Sequence, residues 1–135
     1  MKQKIYFCIA VASAVMLCAC GKGNTSQADV THYESDIYTE DDIEAAISVT
    51  EEYFKENFIG CTLTEIEYAG DDTSARYQDW ADRNEADEVI VLISSFDVGS
   101  SCEDGSLNRN STYDDWNWIL VRTAGGQWQH ADHGY

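Results

Sequence analysis

The 135-residue chain contains no proline. That excludes a stiff polyproline spacer, so any linker in it is of the flexible, small-residue kind. Positive charge is also scarce, with 8 Lys and Arg against 25 Asp and Glu. A surface of that sign repels phosphate backbones and argues against nucleic acid as a partner. There is no C-x-x-C pair, which removes the common redox motif and the zinc knuckle. There is no G-x-S-x-G elbow for a nucleophilic serine and no glycine-rich phosphate loop. The acidic pairs Asp71-Asp72, Glu103-Asp104 and Asp114-Asp115 do not fit the D-x-[DN]-x-[DN]-G calcium loop. They read as solvated loop charge, so neither a metal nor any other cofactor is expected.

One long apolar run exists, Ile5 to Leu17, preceded by Lys2 and Lys4. It is too short to span a bilayer comfortably and has the layout of a secretory signal. It ends in Leu17-Cys18-Ala19-Cys20, which resembles the lipobox of bacterial lipoproteins. That resemblance implies that residues 1–19 are removed and that Cys20 becomes a lipidated first residue. The partner would then be a membrane, held on the outer face of a cell of Gram-positive type. After residue 20 there remain six basic and 25 acidic residues, a net charge of −19. Two cysteines, Cys61 and Cys102, stay in the folded part. They are a candidate disulfide, and two free thiols fit the sequence equally well.

Residues 20–37 are small and polar without apolar periodicity, which predicts a flexible tether ahead of a single domain over 38–135. The domain opens with Thr39-Glu-Asp-Asp42, a helix start with acidic residues at the positive end of the dipole. Ile43, Ala46, Ile47, Thr50, Phe54 and Phe58 follow at helical spacing, predicting an amphipathic helix over 40–57 that Gly60 ends. Cys61 to Tyr68 reads as a strand with a change of phase near Glu65 that suggests a bulge. A short second helix is expected from Asp72 or Thr73 to Arg83. Glu88 to Val98 is apolar on both faces, as a central strand is. Gly99 to Asp115 reads as a long loop.

The last twenty residues read as a hairpin, with Trp116 to Thr123 and a run from Trp128 joined by Gly125-Gly126. With those glycines as the two turn residues, strict alternation puts His130 and Asp132 on one face and His133 on the other. The hairpin residues Trp118-Ile-Leu-Val-Arg122, Gly125-Gly-Gln-Trp128 and Gly134-Tyr135 resemble the closing strands of NTF2-like (cystatin-like) domains. The chain from Tyr38 onward also resembles small lipoproteins of uncharacterised function from Firmicutes. The resemblance implies an α+β fold: a long N-terminal amphipathic helix packed on a curved antiparallel sheet of about four strands, plus a short second helix.

It also implies a cavity between helix and sheet. Trp116, Trp118, Trp128 and Tyr135 are candidates to line it, and His130 with Asp132 are candidates for a proton-transfer pair. The competing readings are core aromatics and a surface His beside a surface Asp. The functional expectation is a non-catalytic, membrane-tethered module that binds a small ligand or an envelope protein. The alternatives are a small NTF2-like enzyme or a structural dimerisation domain.

Overall fold

The computed structural model describes residues 22–31 and 34–135. The expected signal segment 1–19 and Cys20 lie outside the described residues. Eight elements follow in order: β1 (Asp29–Thr31), α1 (Glu40–Asn57), β2 (Cys61–Tyr68), α2 (Asp71–Ala75), α3 (Gln78–Arg83), β3 (Glu88–Val98), β4 (Ser111–Arg122) and β5 (Gln129–Gly134). The fold is α+β, built on one open, mostly antiparallel sheet of five strands in the order β1-β2-β3-β4-β5.

Helix α1 starts with a reciprocal capping box. The Asp42 N–H donates to Thr39 Oγ1 at 3.1 Å, and the Thr39 N–H donates to Asp42 Oδ2 at 3.0 Å. Glu40, Asp41 and Asp42 add negative charge at the positive end of the helix dipole. Ile43, Ala46, Ile47, Thr50 and Phe54 are buried along one side. The Phe58 N–H closes the helix on the Phe54 carbonyl at 2.8 Å, and Gly60 turns the chain at φ +86° into β2.

The stripe of α1 lies on one face of the sheet, against Leu63, Ile66, Ile90, Leu92, Phe96, Trp118, Leu120 and Trp128. In β2 the buried positions change from Cys61 and Leu63 to Ile66 and Tyr68 across a register shift between Leu63 and Glu65. That shift is the bulge expected from the phase change. On the second face Val89, Val91, Ile119 and Val121 pack with Ala81 of α3, edged by Tyr77, Trp80 and Ala131. The sheet is therefore covered on the α1 face and over part of the second. The cover on the second side comes from the chain's own short helices.

Three expectations are corrected. The sheet has five strands, not about four: β1 runs parallel to β2, pairing Val30 with Ile66. Residues 22–31, expected as tether, lie along the domain. Lys22 pairs with Glu56 at 3.0 Å, and the Leu63 N–H donates to the Asn24 carbonyl at 2.8 Å. Gly23 is buried where a Cβ would stand 2.5 Å from the Phe54 carbonyl oxygen, so only glycine lets this segment approach α1. The single short helix is two, α2 and α3, broken at Arg76-Tyr77 where i→i−3 bonds take over.

The hairpin turn is also displaced by one residue. The Gly126 N–H donates to the Thr123 carbonyl at 2.8 Å, so Ala124 and Gly125 are the central residues. Gly125 supplies the positive φ of +76° that the third position of such a turn requires. Ile119 faces Asp132 and Trp118 faces His133, as strict alternation expects, but Leu120 faces His130 and Val121 faces Gln129.

Candidate functional site

That mixed register is a β-bulge, with one extra residue, Ala131, between His130 and Asp132, the partners of Leu120 and Ile119. The extra residue undoes the alternation. His130 and His133 both come to the α1 face, with His130 Nε2 3.0 Å from His133 Nδ1. His130 stacks on Tyr53 of α1 with ring centroids 3.8 Å apart, and His133 lies against Phe58, Trp116 and Trp118. Asp132 is exposed, and Ala131 packs toward α3. The expected His130–Asp132 pair is therefore replaced by a His130–His133 pair.

Both rings are half-buried. Burial first, then the neighbouring His133, lowers His130 from its ordinary value of 6.5 to about 4. Burial lowers His133 as well, against opposing pulls from Asp132 and Asp104. Two neutral imidazoles share one hydrogen bond; two imidazolium ions at that spacing repel.

This has a consequence for stability. A histidine with a depressed folded pKa leaves the unfolded chain holding more protons between its two values. The stability is complete above pH 6.5 and is lost as pH falls through about 4. Solvent screening of half-exposed rings holds the loss to about 1–2 kcal/mol. Urea titrations between pH 7.5 and 4.5 should show it, and His130→Gln should flatten most of that slope. The lowered carboxylates, Asp42, Asp71 and Asp104, have ordinary values of 3.8 and act in a more acidic window.

The four aromatic pocket candidates separate. Trp118 and Trp128 are core residues, 0% and 4% exposed. Trp118 Nε1 donates to Ser94 Oγ at 2.8 Å and Trp128 Nε1 to the Asp42 carbonyl at 3.0 Å. Trp116 is half-buried among Phe58, Phe96, Tyr113 and His133, and among the described residues its Nε1–H is the buried side-chain donor without a partner. Tyr135 is exposed at the rim, its ring 5.2 Å from that of Trp116. The cavity expected between helix and sheet is filled by these side chains.

Space opens on the other face. Helices α2 and α3 cover the sheet only as far as Val91 and Ile119, and beyond them lies a groove of about 490 Å³. Ile93 and Asn117, paired across β3 and β4, form part of its lining. Tyr68, Thr73, Arg76 and Tyr77 line it from β2 and from the α2 segment and its exit. Arg76 Nη2 donates to Thr73 Oγ1 at 3.4 Å. A smaller hollow of about 60 Å³ shares Glu67 and Ile93 with it and runs on to Glu65, Ser95 and Asp115. Asp115 sits at φ +57°, in the left-handed region, where the β3–β4 register shifts: Ser94 faces Trp116 but Phe96 faces Tyr113, which leaves an extra residue in β4.

Protein-family models, curated proteins and solved structures were compared with this chain, and none matches.

In two of the acidic pairs considered for calcium, one carboxylate is taken up by local hydrogen bonds. Asp71 accepts from Ser35, from Tyr68 at 2.7 Å and from the Asp36 N–H at 2.8 Å. Asp104 accepts from the Ser106 N–H at 2.8 Å and its hydroxyl at 2.6 Å. Among the described residues no three His, Cys, Asp or Glu side chains gather as a metal site. Cys61 and Cys102 are both buried and both free thiols.

The groove went unread in the sequence. Its signal was the odd-numbered face of β3, apolar at Val89, Val91 and Ile93 and polar at Ser95 and Asp97. Such a face is covered at one end and open at the other.

Proposed function

We propose that this chain is a non-catalytic binding module, tethered through Cys20 to the outer face of a membrane. Its ligand site is the groove beside α2. The observation that carries this reading is the groove itself: about 490 Å³ of open, pre-formed space, within the range of small-molecule sites. Ile93 and the Tyr77 ring offer apolar contact, while Asn117, Thr73 and Arg76 offer hydrogen bonds. That set suits a small ligand with one flat or apolar part and one polar end. The catalytic alternative lacks its carboxylate, because the bulge parts Asp132 from His130. What supports the cystatin-like reading of the fold is one helix lying on the antiparallel meander β2–β5.

The test is a thermal-shift screen of amino acids, short peptides and sugars against the protein and against Ile93→Arg, which fills the groove. A ligand at a hundred times its Kd stabilises the native state by about 2.7 kcal/mol, a rise of roughly 10 °C in Tm. The rise should be absent in Ile93→Arg and reduced in Asn117→Ala. Hits that stabilise the filled variant equally would place binding elsewhere and refute the groove. The anchor is tested separately: Cys20→Ala should move the protein from the membrane fraction to the soluble one.

A further inference from the structure

The β3–β4 loop folds back onto the start of β2. Cys61 opens β2 in register with Val98 at the end of β3. The Gly99 N–H donates to the Gly60 carbonyl at 2.9 Å, and the Cys102 N–H turns back to the Gly99 carbonyl at 3.4 Å. Cys102 is thereby laid directly on Gly60, where a Cβ would stand 2.8 Å from both the Cys102 Cα and its nitrogen. Arg109 holds the loop from the far side, its Nε donating to the Cys102 carbonyl at 2.8 Å. Both cysteines are buried, at 2% and 1% exposure, and Cys102 Sγ donates to the Asp104 carbonyl at 3.9 Å. Two cysteines from segments about 40 residues apart thus meet in a sealed part of the core.

We propose that Cys61 and Cys102 are a disulfide-forming pair that fastens the β3–β4 loop to β2 when the protein meets a disulfide donor. One protein thiolate attacks a sulfur of the donor RSSR, and RS⁻ leaves with the bond's electron pair. The second thiolate then attacks the mixed disulfide at the protein sulfur and expels the other RS⁻. Two protein thiols are oxidised and one donor disulfide is reduced to two thiols, with the protons passing to the leaving thiolates.

Burial and the neighbouring Cys102 push the Cys61 thiol up to about 12, so the closed reduced protein holds little thiolate there. Exchange therefore goes through the opened loop or through the chain before the loop docks. The proposal rests on the extracytoplasmic reading only for the source of the oxidant. The test in solution is independent of it.

The purified reduced protein is incubated with oxidised glutathione as donor, in urea just below the unfolding midpoint, and then returned to buffer. Expected, by peptide mapping, are loss of the Cys61 and Cys102 thiols with no adduct on either and a proteolytic peptide joining residues 61 and 102, about 2 Da lighter than the two reduced peptides together. Closing a loop of about 40 residues should raise Tm by about 10 °C, and reductant should reverse the rise. Cys102→Ser should keep the reduced protein's Tm within a few degrees and lose the response to oxidation. Glutathione adducts on Cys61 and Cys102, dimers linked through either, persistence of these two thiols, or a bridge that leaves Tm unchanged would overturn the proposal. If Cys102→Ser fails to fold, the mass, thiol and Tm measurements on the unsubstituted protein decide alone. A failed ligand screen would not alter any of these results.

Discussion

Trp118→Ala should cost about 4–5 kcal/mol and leave little cooperative unfolding at 37 °C. Trp118 is the largest fully buried side chain, at 0% exposure. Its ring meets those of Tyr53, Phe54, Phe58 and His133 within 6.4 Å, centroid to centroid. Truncation of a buried Trp removes transfer free energy and leaves a cavity, together about 3–5 kcal/mol. It also strips Ser94 Oγ, 3% exposed, of the 2.8 Å bond from Trp118 Nε1. The hydroxyl retains only a long contact to the Trp116 carbonyl at 3.5 Å, so its desolvation becomes an added penalty.

A domain of this size holds about 5–15 kcal/mol in total, so the variant sits near the threshold. Trp118→Phe separates the two contributions. It keeps most of the apolar fill and should cost about 2–3 kcal/mol. Adding Ser94→Ala to it should restore about 1 kcal/mol, because both ends of the lost bond are then apolar. Urea unfolding followed by far-UV circular dichroism measures all three. Equal costs for Trp118→Phe with and without Ser94→Ala would show that the hydroxyl was never dependent on the indole.

The same residues show where sequence reasoning reached and where it stopped. Helix α1 was legible because Ile43 to Phe54 repeat at helical spacing behind a capping signal, and both are local properties. The bulge in β2 was legible because Leu63 and Ile66 are apolar on opposite parities. The bulge in β5 was not. QHADHG carries no apolar alternation, so nothing in it marks where the parity changes. The error propagated directly into the site, which became His130 with Asp132 instead of His130 with His133.

Strand β1 was missed for a related reason. Three exposed residues, Asp29, Val30 and Thr31, have no pattern of their own, and their partners lie more than 30 residues away in β2. The groove was invisible because it is defined by where α2 and α3 end over the sheet, a tertiary fact.

Arg122→Met should destabilise the domain by about 2–4 kcal/mol and loosen the start of α1 first. Arg122 closes the α1 face of the sheet. Its Nη1 donates to Asp42 Oδ1 at 3.0 Å and its Nε to Glu88 Oε2 at 2.9 Å. Its guanidinium lies 4.2 Å from the centroid of the Trp128 ring. The side chain is 12% exposed, and the two carboxylates are 27% and 29% exposed. Removing one partner of a buried pair typically costs 3–5 kcal/mol. Here the carboxylates can rehydrate in part, which lowers the figure, and the lost cation–π contact adds about 0.5–1 kcal/mol.

Methionine preserves the stem against Trp128, so the loss reports the charge and its fork. Arg122→Lys keeps the charge, cannot bridge both carboxylates with a planar fork, and should cost about 1–2 kcal/mol. The pH dependence distinguishes an electrostatic origin from a packing one. The Arg122 hydrogen bond, followed by the Thr39 backbone, holds the Asp42 carboxyl below its ordinary value of 3.8. A depressed carboxylate stabilises the fold above its unfolded pKa and loses that contribution as pH falls through the folded one. The gap between the native protein and Arg122→Met should therefore be full at pH 7 and narrow below about pH 3.8. Amide exchange should show added opening at Ile43 and its neighbours, where the N-terminal turn of α1 depends on Asp42 being held. A gap that stays constant down to pH 2 would assign Arg122 to packing on Trp128 and remove its electrostatic role.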